Sequence, residues 1–137
     1  MAETVSISVK NNVSELKKIN HILEVFVKSN NLSSQVLFAL NLSIEEILTN
    51  IITYGFEDSS EHFILLRLEK EDGLINIRIE DDGKPFNPLD CDEPDLDKPL
   101  EDREIGGLGI LLVKSYMDDV QYQREENKNL ISMTKRY

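Results

Sequence analysis

Between Phe63 and Glu80 the chain carries two apolar runs separated by Glu71-Asp72-Gly73. In the second run Ile75, Ile77 and Ile79 alternate with Asn76, Arg78 and Glu80. Alternation sends successive side chains to opposite faces of a strand. An Asp-Gly pair between two such runs signals a tight hairpin. A hairpin with one apolar face constrains the rest of the chain, because another element must cover that face. Strand-by-strand alternation with helices, which a doubly wound parallel sheet needs, is absent.

The segments on either side supply the covering layer. Thr4 to Lys10 alternates, with Val5, Ile7 and Val9 on one side, and reads as a half-buried strand. Asn11 and Asn12 can cap a helix carrying Val13, Leu16, Ile19, Leu23 and Phe26. Asn30, Asn31 and Ser33 break it. A second helix is expected from Ser33 or Ser34 to Tyr54, with Val36, Leu40, Ile44, Ile47 and Ile51 on one face. Gly55 suits the left-handed position that closes a helix. Gly106 to Asp118 reads as a third helix. Val120–Arg124 and Leu130–Lys135 read as a last hairpin around Glu126-Asn127-Lys128. The expected fold class is α+β: a two-layer α/β sandwich in one domain over 1–137. Its sheet is mixed and mostly antiparallel, with the helices on one face.

Charge narrows the function classes. Asp plus Glu is 26 against 15 Lys plus Arg, a net charge of −11. That argues against nucleic acid and against an anionic membrane as partners. No apolar run is expected to approach the ~18–20 residues of a membrane span. The first ten residues lack the pattern of a signal peptide, so a cytoplasmic location is expected. Cys91 is the single cysteine, which excludes an internal disulfide and, with only His21 and His62 beside it, disfavours zinc. The acid is concentrated. Pro88 to Glu104 holds eight acids, two bases and three of the four prolines, a net of −6. Such a stretch suits neither helix nor strand interior, and reads as a long loop, either a lid or a linker.

Three short constellations could carry chemistry. Glu46 and Asn50 are four residues apart on the second helix, hence on one face. A carboxylate there can take a proton or orient a hydroxyl, and an amide oxygen suits magnesium. A solvated Glu and a surface Asn are the plainer alternative. Asp81-Asp82-Gly83 ends a strand. Its Asp can accept from an exocyclic amine and its Gly lets the backbone approach a flat ring; an ordinary turn is the alternative. Gly106-Gly107-Leu108-Gly109 opens a helix, where backbone N–H groups and the dipole favour an anion. A flexible linker meeting a helix is the alternative there.

In this order, with Glu45-Glu46-Ile47-Leu48-Thr49-Asn50, Tyr54-Gly55-Phe56 and Met117-Asp118, the chain resembles the Bergerat-fold ATPases shared by gyrase, histidine kinases and MutL. More closely, it is similar to their anti-sigma factor serine/threonine kinase branch, over nearly its whole length. The resemblance implies ATP and Mg2+ as cofactors. It implies Glu46 as general base or as the group that orients the attacking hydroxyl, Asn50 as the magnesium ligand, and Asp81 on the adenine amine with Gly83 beside the ring. It implies that Gly106, Gly107, Leu108 and Gly109 face the phosphates, that 88–105 is an acidic ATP lid, and that Arg103 stands at the lid's exit. It also implies phosphorylation of an anti-anti-sigma (STAS-type) partner, a sigma factor as competing partner, and the homodimers this branch often forms. A nucleotide-binding interaction module without chemistry is the second reading. Two departures stand out. Pro85 replaces the second Gly of the Asp-x-Gly-x-Gly box, and Lys128-Asn129 replaces a Gly-Thr pair whose Thr supports the adenine through water.

Overall fold

A computed structural model describes residues 3–90 and 107–137. The elements are β1 (Glu3–Lys10), α1 (Leu16–Ser29), α2 (Ser34–Tyr54), β2 (Phe63–Glu71), β3 (Leu74–Asp81), α3 (Gly107–Tyr116), β4 (Asp119–Glu125) and β5 (Lys128–Arg136). The strands form one sheet in the order β1-β2-β3-β5-β4, and every neighbouring pair is antiparallel. The anticipated mixed sheet is therefore wholly antiparallel among the described residues. Both predicted hairpins form. Gly73 takes a positive φ of 75° in the first turn, and Glu126 and Asn127 take 50° and 65° in the second. Paired positive φ values, as in the second hairpin, are what a two-residue type I′ turn demands.

The helices start where short polar side chains satisfy free N–H groups. Ser33 Oγ accepts from Val36 N at 3.2 Å and starts α2. Asn12 Oδ1 accepts from Ser14 N at 2.9 Å, but it opens a short 3-10 turn, Val13–Glu15, and α1 begins only after it. The apolar stripes predicted for the first two helices face the sheet except at Val13, which lies in the 3-10 turn and is exposed. Ile19, Leu23 and Phe26 meet Leu40, Ile44, Ile47 and Ile51 over Ile64, Leu66, Leu68, Ile75, Ile77 and Ile79. Burying each such side chain contributes ~1.5–3 kcal/mol.

The expectation of no membrane-length run needs correction. The 21 residues of α2 include an 18-residue window of mean hydropathy 1.4, enough by length and composition to span a bilayer. Asn41, Ser43, Glu45, Glu46 and Asn50 interrupt the run without lowering its average below that mark. Half of the window is buried in the fold, as befits a central core helix.

Candidate active site

The polar groups gather at one end of the layer between sheet and helices. β3 ends at Asp81, and the β3–β5 register sets Asn129 directly opposite. Both share the strand face that carries Ile79 and Ile131 into the core, so both are buried, at 4% and 2% exposure. Asn129 Nδ2 donates to Asp81 Oδ1 at 3.0 Å and to Lys84 O at 2.7 Å. Its Oδ1 accepts from Phe86 N at 3.3 Å and from the Tyr122 hydroxyl at 2.5 Å. Gly83 N also donates to Asp81 Oδ1, at 2.9 Å. Asp81 Oδ2 takes no hydrogen bond among the described residues. Burial raises the Asp81 pKa, and the bonds from Asn129 and Gly83 oppose that rise.

Gly83 is required by space. A Cβ there would run into the carbonyl oxygen of Gly55 and stand 2.9 Å from Asp81 Oδ1. Lys84 N donates to the same Gly55 carbonyl at 3.1 Å, and Arg124 Nη1 donates to Gly83 O at 2.8 Å. Gly55 itself corrects an expectation. It follows α2 with φ −82° and ψ −14°, in the right-handed region. Crowding rather than handedness selects it, since a Cβ would lie 2.6 Å from Ile51 O.

One and two turns back along α2 stand Asn50 and Glu46. Asn50 Nδ2 reaches Glu46 Oε1 at 3.5 Å. Glu46 is half-buried, and Glu45 points outward. Burial raises the Glu46 pKa; the Asn50 bond lowers it and the Glu45 charge raises it further. A raised pKa makes the carboxylate a better proton acceptor. Asn50 is 7% exposed, and with its amine turned to Glu46 its Oδ1 has no donor among the described residues. That hard oxygen suits Mg2+. α3 packs across α2 at this level. Gly109 lies against the Glu46 carboxyl so closely that an added Cβ would collide with it.

The structure thus brings Glu46, Asn50 and Gly109 together, and Asp81 with Gly83. Gly107 and Leu108 fall in the first turn of α3. Gly106, Arg103 and most of the expected lid lie outside the described residues. At the lid's expected start, Pro88–Asp90 is a 3-10 turn with Pro88 buried and Leu89 packed on the core. Asn87 holds it, its Oδ1 accepting from Leu89 N at 2.9 Å and its carbonyl from Asp90 N at 3.1 Å.

Beside Asp81, the loop from α2 to β2 closes on Asp82. His62 Nδ1 lies 3.2 Å from Asp82 Oδ1, and its Nε2 lies 2.7 Å from Asp58 Oδ1 and 3.1 Å from Ser60 Oγ. The ring stacks on Phe56 with centroids 4.5 Å apart. Bonds from Ser60 and His62 hold Asp58 at a pKa of about 2, and Asp58 and Asp82 raise that of His62.

Sequence reasoning left Asn129 open and passed over Tyr122 and Arg124. The available signal was the last hairpin's alternation, which puts Tyr122, Arg124, Asn129, Ile131 and Met133 on one face.

An antiparallel sheet covered on one side by helices, with Glu46 and Asn50 on the central one, is the architecture of histidine kinase-like ATPases. The chain belongs to that family: the model of the histidine kinase-like ATPase domain matches residues 9–135. Among curated relatives, the serine/threonine-protein kinase BtrW of Bordetella bronchiseptica is 29% identical over 74% of this chain and 72% of its own. The anti-sigma F factor of a Geobacillus species is 26% identical over 69% and 64%. The serine-protein kinase RsbW of Bacillus mycoides is 31% identical over 70% and 61%. The matches thus span roughly two thirds of these relatives' lengths. In fold, the chain resembles a solved protein comprising the RsbU and RsbW domains of Rv1364c from Mycobacterium tuberculosis. There the TM-score is 0.68 at 10% identity, covering 98% of this chain and 32% of that one.

Proposed function

We propose that this chain is an anti-sigma regulatory factor and ATP-dependent serine/threonine kinase. It acts in the cytoplasm as a single domain, on an anti-anti-sigma (STAS-type) partner, with a sigma factor as competing partner. The observation that carries the reading is the Glu46–Asn50 pair on α2, bonded to each other and faced by Gly109 at the start of α3. The relatives' names supply the class of reaction and partner.

Asp81 Oδ2 accepts from the adenine amine, and Gly83 lies against the ring. Gly107, Leu108 and Gly109 present the helix start to the phosphates, joined by Gly106 and Arg103. Asn50 Oδ1 holds Mg2+, which when bound neutralises phosphate charge. Glu46 takes the proton of the acceptor serine hydroxyl. The serine oxygen then bonds to the γ-phosphorus, the bond to the β–γ bridging oxygen breaks, and ADP leaves. Phosphoryl transfer is mainly positioning and charge neutralisation, so few groups suffice. The test is transfer of label from γ-labelled ATP to a serine of the cognate anti-anti-sigma protein. Labelled phosphoserine is expected. Tight ATP binding with no transfer to that partner would replace the kinase with a binding module.

A further inference from the structure

Among the buried polar side chains to which the mechanism gives no role, Asn129 is the one bonded to Asp81. It is 2% exposed, yet its amide is fully used. An Asn side chain has two N–H donors and an oxygen with two acceptor sites. Here both donors go to groups that only accept, Asp81 Oδ1 and Lys84 O, and both acceptor sites go to donors, Phe86 N and the Tyr122 hydroxyl. That pattern fixes which end of the amide is nitrogen. Its consequence lies on Asp81. The protein's donors, Asn129 Nδ2 and Gly83 N, converge on Oδ1, and none among the described residues reaches Oδ2. A carboxylate held this way offers its other oxygen to a ligand.

We propose that Asn129 is the positioning residue for purine recognition: it holds Asp81 in the orientation that accepts from a purine amine and rejects a purine carbonyl. This rests on the reading of Asp81 as the base contact. Tyr122 acts behind it by fixing the Asn129 oxygen. The bonds to Lys84 O and Phe86 N tie the backbone on either side of Pro85 to the same amide, so base reading and the path out of β3 share one anchor.

The charged groups bearing on Asp81 are Asp82, which raises its pKa, and Arg124, which lowers it. Neither depends on Asn129. Removing the Asn129 donor therefore leaves burial and Asp82 less opposed, and Asp81 takes up a proton at higher pH. A protonated carboxyl can donate to a carbonyl, so discrimination weakens.

The experiment compares the affinities for ATP and inosine triphosphate across pH. The latter has a carbonyl oxygen where adenine has its amine, and the shared triphosphate cancels in the ratio. The wild type is expected to favour ATP, with the ratio falling only in acid. Asn129→Asp and Asn129→Ala are expected to lower the neutral-pH ratio about tenfold or more and move its fall to higher pH. Tyr122→Phe, which leaves the core hydrocarbon in place, shifts both the same way by less and serves if the Asn129 variants do not fold. Unchanged ratio and pH profile in the folded variants would overturn the proposal while leaving the base site intact. Asp81→Asn separates the two failures: if that variant keeps the wild-type ratio, the base-site reading is wrong and this inference falls with it.

Discussion

The two ends of the candidate site are built differently. At the base end, Asp81, Gly83, Lys84, Phe86, Tyr122, Arg124 and Asn129 form a closed set of hydrogen bonds between strands and turn. At the phosphate end, Glu46 and Asn50 share one bond of 3.5 Å, and the contact with α3 is made by a glycine with no side chain. One end has its internal hydrogen bonds made before a ligand arrives and leaves a single acceptor, Asp81 Oδ2, open. The other presents unused acceptors and a helix start, which a charged ligand would complete. A fixed end suits selection of the base. An incomplete end suits chemistry, since groups satisfied only in the transition state accelerate a reaction.

The largest expected effect lies at the incomplete end. Glu46→Gln keeps the shape and removes the base, so the rate of phosphotransfer should fall ~10²–10⁴-fold. ATP affinity should change little, as equilibrium binding with a fluorescent nucleotide would check. Equal losses in both would mean that Glu46 belongs to binding. Next, Asn50→Ala removes the amide oxygen proposed to hold magnesium, and the magnesium concentration giving half-maximal ATP binding should rise ~10-fold or more. An unaltered titration would move the metal elsewhere.

At the closed end the effect should be on folding. Gly83→Ala drives a methyl against the Gly55 carbonyl, which is backbone and cannot swing away. A loss of ~1–3 kcal/mol in urea unfolding is expected. Wild-type stability in that variant would show that the turn relaxes freely, removing the contrast between the ends.

The smallest effect is electrostatic. His62 has a raised pKa in the fold, so its ion pairs contribute stability that is fully present below its ordinary value of 6.5 and is lost as pH rises through the folded value. Asp58, held at about 2, contributes stability present above 3.8 and lost as pH falls toward 2. Melting of the wild type should therefore drop slightly on the alkaline side of 6.5, and His62→Gln should flatten that step. Asp58 is exposed and His62 partly so, and the change should be modest and weaker in salt.

What could be read in advance follows the same division. The helix stripe from Val36 to Ile51 and the alternation from Ile75 to Ile79 are local patterns, and their elements lie where the periodicity places them. Glu46 and Asn50 needed only the pitch of one helix. Asn129 needed more. Its meaning comes from pairing with a residue 48 positions away, across a register that alternation suggests but does not fix. Gly55 was legible as a helix stop, yet its cause, crowding by Ile51, exists only once the helix has formed. The turn at Pro88–Asp90 was hidden because proline and acid read as loop, whereas Asn87 makes a local cap of them.

The most direct test of a base end bonded in advance and an incomplete phosphate end is amide hydrogen exchange, with and without ATP and magnesium. The amides of Gly83, Lys84 and Phe86 already donate to Asp81, Gly55 and Asn129, so they should exchange slowly before nucleotide is added and change little after. Amides in the first turn of α3 should slow markedly only with nucleotide. Fast exchange at Gly83 and Phe86 without ligand, or no slowing at α3 with it, would contradict the account.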